Sequence, residues 1–124
     1  MKTQKKLGIW MDHATANLID ATSNKHSQIL SDFTLDTKEE ALNRSELVMH
    51  NKRQQMHEAY YKKIADSILK YNSVLLFGPT NAKTELHNYL NADLHFKDIK
   101  IEVKSADKMT DNQQDAFVKK YFEY

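Results

Sequence analysis

The sequence is poor in residues that cross-link a chain or interrupt its regular structure. It contains no cysteine, one proline and two glycines among 124 residues. The absence of cysteine excludes disulfides and thiolate metal sites, and it fits a cytoplasmic protein. No apolar run approaches the roughly 20 residues that a membrane-spanning helix needs, so we expect no membrane partner.

An excess of charge of one sign is also missing. Eighteen basic residues face seventeen acidic ones, which leaves a formal net charge of +1 at pH 7. A protein whose whole surface grips nucleic acid carries a large positive charge, so any such contact here must come from a local patch. The length and the apolar content of 40% predict one globular domain over residues 1–124.

Alternating apolar and polar residues predict three strands near the amino terminus. Leu7 to Met11, Ala16 to Ala21 and Ser27 to Leu35 show this period of two. Because short turns connect them, they should form an antiparallel meander. The charged segment Asp36 to Arg44 then ends the pattern.

A long helix is predicted from about Arg44 to Lys70. Asn43 and Glu46 form a capping box at its start. One apolar stripe runs along it at spacings of seven and four, through Met49, Met56, Tyr60, Ile64 and Ile68.

The second half of the chain alternates strands with helices. Ser73 to Phe77 is a continuous apolar run, typical of a central strand covered on both faces. A helix beginning near Asn81 should bury three side chains, those of Leu86, Tyr89 and Leu90. The fifth strand contains Ile99, Ile101 and Val103. The last helix, capped by Thr110 and Gln113, offers an apolar face of Ala116, Phe117, Tyr121 and Phe122.

These elements follow the order βββαβαβα. A meander followed by strand–helix–strand units predicts parallel additions through right-handed crossovers. We therefore expect an α/β domain with a mixed five-stranded sheet of order 3-2-1-4-5.

Two phrases of the sequence carry a resemblance to a known family. The stretch Leu75 to Leu86 joins an apolar run to Gly78-Pro79 and a Lys-Thr-Glu-Leu helix start, and Ile9 to His13 opens a hairpin. Over roughly Leu7 to Phe122 the chain resembles the middle domain of archaeal and eukaryotic peptide-chain release factors and of Pelota, in a bacterial branch of that group. The resemblance implies a ribonuclease-H-like fold of the kind found in components of the translation machinery.

The catalytic tripeptide of the release factors is missing. In that family a Gly-Gly-Gln loop between the third strand and the long helix helps water attack peptidyl-tRNA. The matching segment here, Leu35 to Arg44, has no glycine and no glutamine. Glycine is required because only it accepts the backbone angles of such a loop. Five acidic residues against two basic ones between Ser31 and Glu46 would also repel RNA. We expect no peptidyl-tRNA hydrolysis and name no catalytic residue; a Pelota-like member without the tripeptide is the closer comparison.

A nuclease or metal site is not predicted. Ribonuclease-H-like folds place a metal-binding aspartate on the first strand, near the position of Asp12, but two-metal chemistry needs further carboxylates within about 4 Å of shared ions. The end of the fourth strand offers none, so we interpret Asp12 as a turn former. Two of the six histidines, His50 and His57, are about 10 Å apart on the long helix. The others are scattered, at His13, His26, His87 and His95. We expect hydrogen-bonded imidazoles, no metal and no cofactor.

One local patch of charge remains, on the long helix. Only Glu58 opposes the basic residues between His50 and Lys63, which gives this stretch a net charge of +3. Arginine and lysine supply most sequence-independent contacts to RNA phosphates. The candidate RNA-binding residues are His50, Lys52, Arg53, His57, Lys62 and Lys63. The alternative is an ordinary solvated helix face. Trp10 is a second candidate, as an exposed stacking platform or as part of the core.

The sequence thus predicts a non-catalytic module that binds the ribosome or structured RNA and is related to release or ribosome-rescue factors. Two alternatives stay open. One is a protein-interaction or homo-oligomer module of the same fold without RNA contact. The other is a small hydrolase whose site no motif reveals.

Overall fold

A mixed sheet forms from the alternating runs at the amino terminus and the two later apolar runs. The computed structural model describes residues 5–23, 25–31 and 58–122. Its elements are, in chain order, β1 (Lys6–Met11), β2 (Thr15–Asp20), β3 (His26–Leu30), α1 (residues 58–68), β4 (Ser73–Gly78), α2 (Ala82–Asn91), a 3-10 turn (Leu94–Phe96), β5 (Lys100–Ser105) and α3 (Asp111–Phe122). The helices within these ranges include none long and apolar enough to cross a membrane.

The strand order is β3-β2-β1-β4-β5. β2 pairs antiparallel with both β1 and β3, and Ile9 lies opposite Leu18. β4 is parallel to both of its neighbours, so that Leu76 lies between Ile9 and Val103. The predicted α/β class and the sheet order 3-2-1-4-5 are therefore confirmed, and β4 lies beside β1 as expected.

Each face of the sheet has a core of its own. The first, which we call the α1–α2 core, joins alternate strand residues such as Ile9 and Leu76 to side chains of α1 and α2. The second, the α3 core, consists of Trp10, Ile19, Leu75, Phe77 and Val118. Because side chains of a strand alternate between faces, neighbouring residues of β1 and β4 contribute to different cores.

The helix stripe predicted for α1 is confirmed within the described residues. Tyr60, Ile64 and Ile68 are each at most 1% exposed. The regular helix ends at residue 68. The predicted start of this helix, its capping box, Met49 and Met56 lie outside the described residues. Strand β3 ends at Leu30, earlier than predicted, and residues 32–35 also lie outside the described ranges.

Helix α3 faces the sheet largely as predicted, because Phe117, Tyr121 and Phe122 pack against the α3 core, but Ala116 does not. Ala116 is exposed, while Gln114 and Val118 are buried. Residues four apart share a helix face, whereas Ala116 lies two residues, or about 200° of arc, from Val118. The predicted capping box is confirmed: the Gln113 backbone N–H donates to Thr110 Oγ1 at 3.2 Å, and the Thr110 N–H donates to Gln113 Oε1 at 2.9 Å.

Two smaller expectations need correction, both on the second half of the chain. Ile99 precedes β5 and does not belong to it. Tyr89 is only partly buried against the α1–α2 core.

Both glycines stand where the backbone needs one. A Cβ on Gly8 would lie 2.2 Å from Val118 Cγ2, so the missing side chain is what lets α3 approach β1. Gly78 has φ +149°, and a Cβ there would lie 2.2 Å from the Met11 carbonyl oxygen. A side chain at Gly78 would therefore be strained and would push β4 away from the end of β1.

Candidate nucleic-acid interface

The predicted basic face lies partly on the described part of α1. Lys62 and Lys63 are both exposed, because the inward positions of this turn are taken by Tyr61 and Ile64. The outward side also carries Glu58 and Asp66, which are exposed as well. This part of the face is therefore mixed in charge. The other four candidates, His50, Lys52, Arg53 and His57, lie outside the described residues.

The turn after β1 uses the carboxylate of Asp12 for its own backbone. Asp12 Oδ1 accepts hydrogen bonds from the N–H groups of Ala14 and Thr15, both at 2.8 Å. Asp12 is thus a turn former, as predicted, and its carboxylate oxygen is already engaged. Among residues 5–23, 25–31 and 58–122, no three histidine or carboxylate side chains come together in a way that could hold a metal ion.

A polar cluster ties this turn to α1 and α2. His13 Nε2 lies 2.5 Å from Glu85 Oε2, and the Tyr60 hydroxyl donates to the Asp12 carbonyl at 3.0 Å. Burial, followed by the charge of Glu85, raises the pKa of Tyr61 well above its ordinary value. The neutral tyrosines and the half-exposed His13–Glu85 pair therefore brace the carboxyl end of β1 against both helices.

The other described histidines are hydrogen-bonded too, as the sequence predicts. His26 Nε2 lies 3.2 Å from Asp115 Oδ1, and His95 Nδ1 lies 2.6 Å from Asp93 Oδ1. The His87 ring contacts the Asn91 amide one helical turn later, at 3.5 Å. The His26–Asp115 pair joins β3 to α3, and the other two are local contacts; these three described histidines share no partner with one another.

The loop between β4 and α2 buries a lysine. Lys83 is 6% exposed, and its ammonium group donates to the Thr80 carbonyl oxygen. The Ala82 backbone N–H donates to Thr80 Oγ1 at 3.2 Å. A phosphate-binding loop needs its lysine and backbone N–H groups directed at the ligand. Here the lysine is directed at its own loop, so it acts as a structural brace.

Trp10 is not a stacking platform. Only 7% of it is exposed, and it packs with Leu75 and Phe77 in the α3 core. Its Nε1 is buried without a hydrogen-bond partner among the described residues. The hypothesis of an exposed stacking platform is therefore wrong, and Trp10 belongs to the core, because α3 covers this part of the sheet.

Sequence reasoning missed a group of lysines and aromatic rings at the carboxyl-terminal end of α3, beside β1 and β5. We call Lys6, Lys100, Lys104, Tyr121 and Phe122 the lysine–aromatic cluster. Lys104 Nζ lies 4.9 Å from the centre of the Tyr121 ring, and Lys6 Nζ lies 5.7 Å from that of Phe122. The two rings meet edge to face at 4.8 Å. The sequence predicts both aromatics in the core, and both are partly buried against the α3 core. The lysines beside them could have been anticipated from the alternation of Lys100, Glu102 and Lys104 along β5.

Glu102 organises this cluster. It accepts a hydrogen bond from the Tyr121 hydroxyl, and its Oε1 lies 3.5 Å from Lys100 Nζ. The Tyr121 hydrogen bond, with smaller contributions from Lys100 and Lys104, lowers the pKa of Glu102. Burial and then Glu102 raise the pKa of Tyr121 to about 12. The carboxylate is therefore charged and fixes the position of the Tyr121 ring.

Solved structures of Pelota share this fold. The chain is similar to Archaeoglobus fulgidus Pelota with a TM-score of 0.58 and 9% identity, over 96% of this chain and 32% of that one. It is similar to Thermoplasma acidophilum Pelota with a TM-score of 0.55 and 17% identity, over 88% of this chain and 30% of that one. The chain thus spans about a third of the length of these proteins.

No family model and no curated protein matches the sequence. At these identities the likeness to Pelota concerns the fold alone. It agrees with the fold that the resemblance implied, since the mixed sheet of order 3-2-1-4-5 is consistent with a ribonuclease-H-like arrangement.

Proposed function

We propose that residues 1–124 form a single non-catalytic module that binds the ribosome or structured RNA in the cytoplasm. Its role would be related to translation release or ribosome rescue. The observation that carries the proposal is the fold that the chain shares with Pelota, in a comparison that covers 96% of this chain. Fold alone does not fix function, so the proposal also rests on local chemistry.

The absence of catalysis rests on the connector before the long helix. Leu35 to Arg44 contains neither the glycines nor the glutamine that peptidyl-tRNA hydrolysis requires in the release factors. We expect no release of labelled peptide from programmed ribosomes. Release that falls when Lys38, Glu39 or Glu40 is changed to alanine would contradict the proposal.

The RNA contact is proposed for the outer face of the long helix. The contributing residues are His50, Lys52, Arg53, His57, Lys62 and Lys63. Exposure of Lys62 and Lys63 supports this face, since their ammonium groups can reach phosphates without disturbing the α1–α2 core. Such contacts position a protein on RNA without reading its sequence. The exposed acidic neighbours Glu58 and Asp66 reduce the net positive charge around Lys62 and Lys63.

The test is binding to purified ribosomes at increasing salt. The logarithm of the binding constant should fall with the logarithm of salt concentration, with a slope of about −0.7 to −0.9 per phosphate contacted. The double variant Lys52→Glu/Arg53→Glu should bind much more weakly, because it reverses the charge of the face. The control double variant Lys97→Glu/Lys108→Glu makes the same change in charge at exposed positions elsewhere, and it should have little effect on ribosome binding. If a normally folded Lys52/Arg53 variant binds ribosomes as the parent does, the helix face is an ordinary solvated surface that does not contact RNA.

A homo-oligomer module without RNA contact is the second candidate, because β3 lies at an edge of the sheet. No strand among the described residues pairs with its outer side, and Leu30 on this strand is 57% exposed. Exposed edges can pair with a strand of another copy. Light scattering distinguishes the candidates: a dimer that Leu30→Lys dissociates supports this one, and a monomer at all concentrations contradicts it.

A further inference from the structure

A cleft of about 700 Å³ opens beside the lysine–aromatic cluster, where the parallel strands begin. Its lining includes Lys6, Asn72, Ser73, Lys100, Tyr121 and Phe122. The volume falls in the range of roughly 300–1,000 Å³ that is typical of small-ligand sites. The cleft lies away from the α1 face proposed above, on the side of the sheet that α3 covers.

The floor of the cleft is a row across three adjacent strands. Ser73 is in register with Lys6 on β1 and with Lys100 on β5. Strands are about 4.8 Å apart, so the two lysine backbones lie about 10 Å from each other with a hydroxyl between them. Lys6 shares its face of β1 with Trp10, which places this row on the side of α3.

The roof consists of the last two described residues of α3. Both rings are half-buried, and the hydrogen bond of Tyr121 to Glu102 holds one of them in place. Phe122 meets Tyr121 edge to face, so it can offer part of its own surface to a ligand. A ring that offers its face beside ammonium groups is suited to stacking a planar base while a lysine contacts the attached phosphate.

The charges of the lining limit what the cleft can accept. Two lysines face two carboxylates, those of Asp98 and Glu102, so the lining carries no net charge. This balance disfavours a dense array of phosphates such as an RNA duplex. It suits an unpaired base with one neighbouring phosphate. Asn72 adds hydrogen-bonding capacity: its Oδ1 accepts the Lys5 backbone N–H, and its amide NH₂ has no partner among the described residues.

We propose that this cleft binds an unpaired nucleotide of single-stranded RNA, with its base stacked on Phe122 and its phosphate near Lys6 and Lys100. The inference rests on the proposed function, because it gives the RNA-binding module a second contact that is specific for unpaired RNA. It differs from the α1 contact in depending on stacking more than on salt.

The experiment measures fluorescence anisotropy of a labelled short oligouridylate with the full chain, and of an RNA duplex for comparison. The parent should prefer the single strand. Phe122→Leu should weaken oligouridylate binding about fivefold to a hundredfold. Lys100→Gln should reduce the salt slope by about 0.7, and Lys108→Gln, a matched exposed control, should change neither quantity.

Each outcome decides the proposal. Equal oligouridylate binding by the parent and Phe122→Leu would overturn the cleft as a stacking site. Binding of ribosomes without binding of the oligouridylate would overturn it while leaving the proposed function intact, and binding of neither would remove both. If Phe122→Leu melts below the parent, Lys100→Gln decides, because the Lys100 side chain is 73% exposed and we expect its replacement to leave the melting temperature unchanged.

Discussion

The two faces of the sheet are built differently. Among the described residues, sixteen buried side chains form the α1–α2 core, and five form the α3 core. Within the part of the chain that the structure describes, two helices cover the first face and one covers the second. The comparison indicates that the α1–α2 side supplies most of the hydrophobic stabilisation, while the α3 side leaves room at its margin for a ligand.

Polar side chains compensate for the smaller apolar contact of α3. Asn17 Nδ2 donates to Gln114 Oε1 at 3.0 Å, and Gln28 Nε2 donates to Asn17 Oδ1 at 3.0 Å. Gln114 is 3% exposed and also donates to the Met109 carbonyl. The Asn17–Gln114 bond orients α3 against β2, and the Gln28–Asn17 bond links β3 to the same side chain. Because they are directional, they fix the position of the helix more than they add to its burial.

The largest expected effect lies in the α1–α2 core. Ile64→Ala should lower the free energy of unfolding by about 2–5 kcal/mol, because Ile64 is fully buried and its loss leaves a cavity. Lys63→Ala, one residue away and exposed, should stay within about 0.5 kcal/mol. Urea melts of the two variants check this. Similar losses would mean that α1 presents another face to the sheet.

The α3 side should respond through close packing. Gly8→Ala should cost about 1–3 kcal/mol, since the new Cβ would overlap the Val118 side chain. Adding Val118→Ala should recover part of that loss, because it removes the overlapping methyl groups. A double-mutant cycle measures this coupling. If the losses of stability from Gly8→Ala and Val118→Ala simply add in the double variant, Val118 of α3 does not pack against Gly8.

A smaller effect concerns Asp20 and Tyr71 on the α1–α2 side. The Tyr71 hydroxyl donates to Asp20 Oδ2 at 2.8 Å. Burial by itself raises the pKa of Asp20, but hydrogen bonds from Ser23, Tyr71 and Thr22 outweigh it and lower the pKa below the ordinary 3.8. The stabilisation is therefore present above pH 3.8 and is lost as pH falls through the lower folded value. Tyr71→Phe should cost about 1–2 kcal/mol near neutral pH.

The cost of Tyr71→Phe should shrink in acid as Asp20 becomes protonated. Tyr89→Phe is the matched control, since Tyr89 is also a partly buried tyrosine beside the same core. Thermal melts of the parent and both variants across the acid range measure the difference. A cost for Tyr71→Phe that does not change with pH would contradict the role given to Asp20.

The smallest effect is expected on the α3 side at high pH. The folded state raises the pKa of Tyr121 to about 12, so it favours the neutral phenol. That contribution is present below pH 10 and is lost as pH rises through about 12. Tyr121→Phe should therefore flatten the loss of stability in alkali. Identical alkaline melting profiles for parent and variant would contradict the Tyr121–Glu102 bond.

The sequence predicts the sheet well, because its signals there are strong and local. β1 alternates, β4 is a continuous apolar run and the described α1 stripe has one buried face, and each feature determines its own element. The parallel order follows from the crossovers. These parts depend little on how distant residues meet.

The margins of the sheet could not be predicted in the same way. Ala116 appeared apolar enough for the core, but the close approach of α3 at Gly8 turns Val118 inward. Tyr121 and Phe122 lie beside the first residues of the parallel strands, at the margin of the sheet. They therefore remain half-buried next to the lysines of β1 and β5. The cleft and its lining result from this tertiary arrangement, which no local pattern encodes.

The most direct test of the central claim is a sucrose gradient of lysate from the cells that make the protein. The account predicts that the full chain migrates with ribosomes at low salt and moves to the top of the gradient at high salt, because phosphate contacts are screened. A chain that stays at the top at low salt, while ribosomes sediment intact, would contradict ribosome binding.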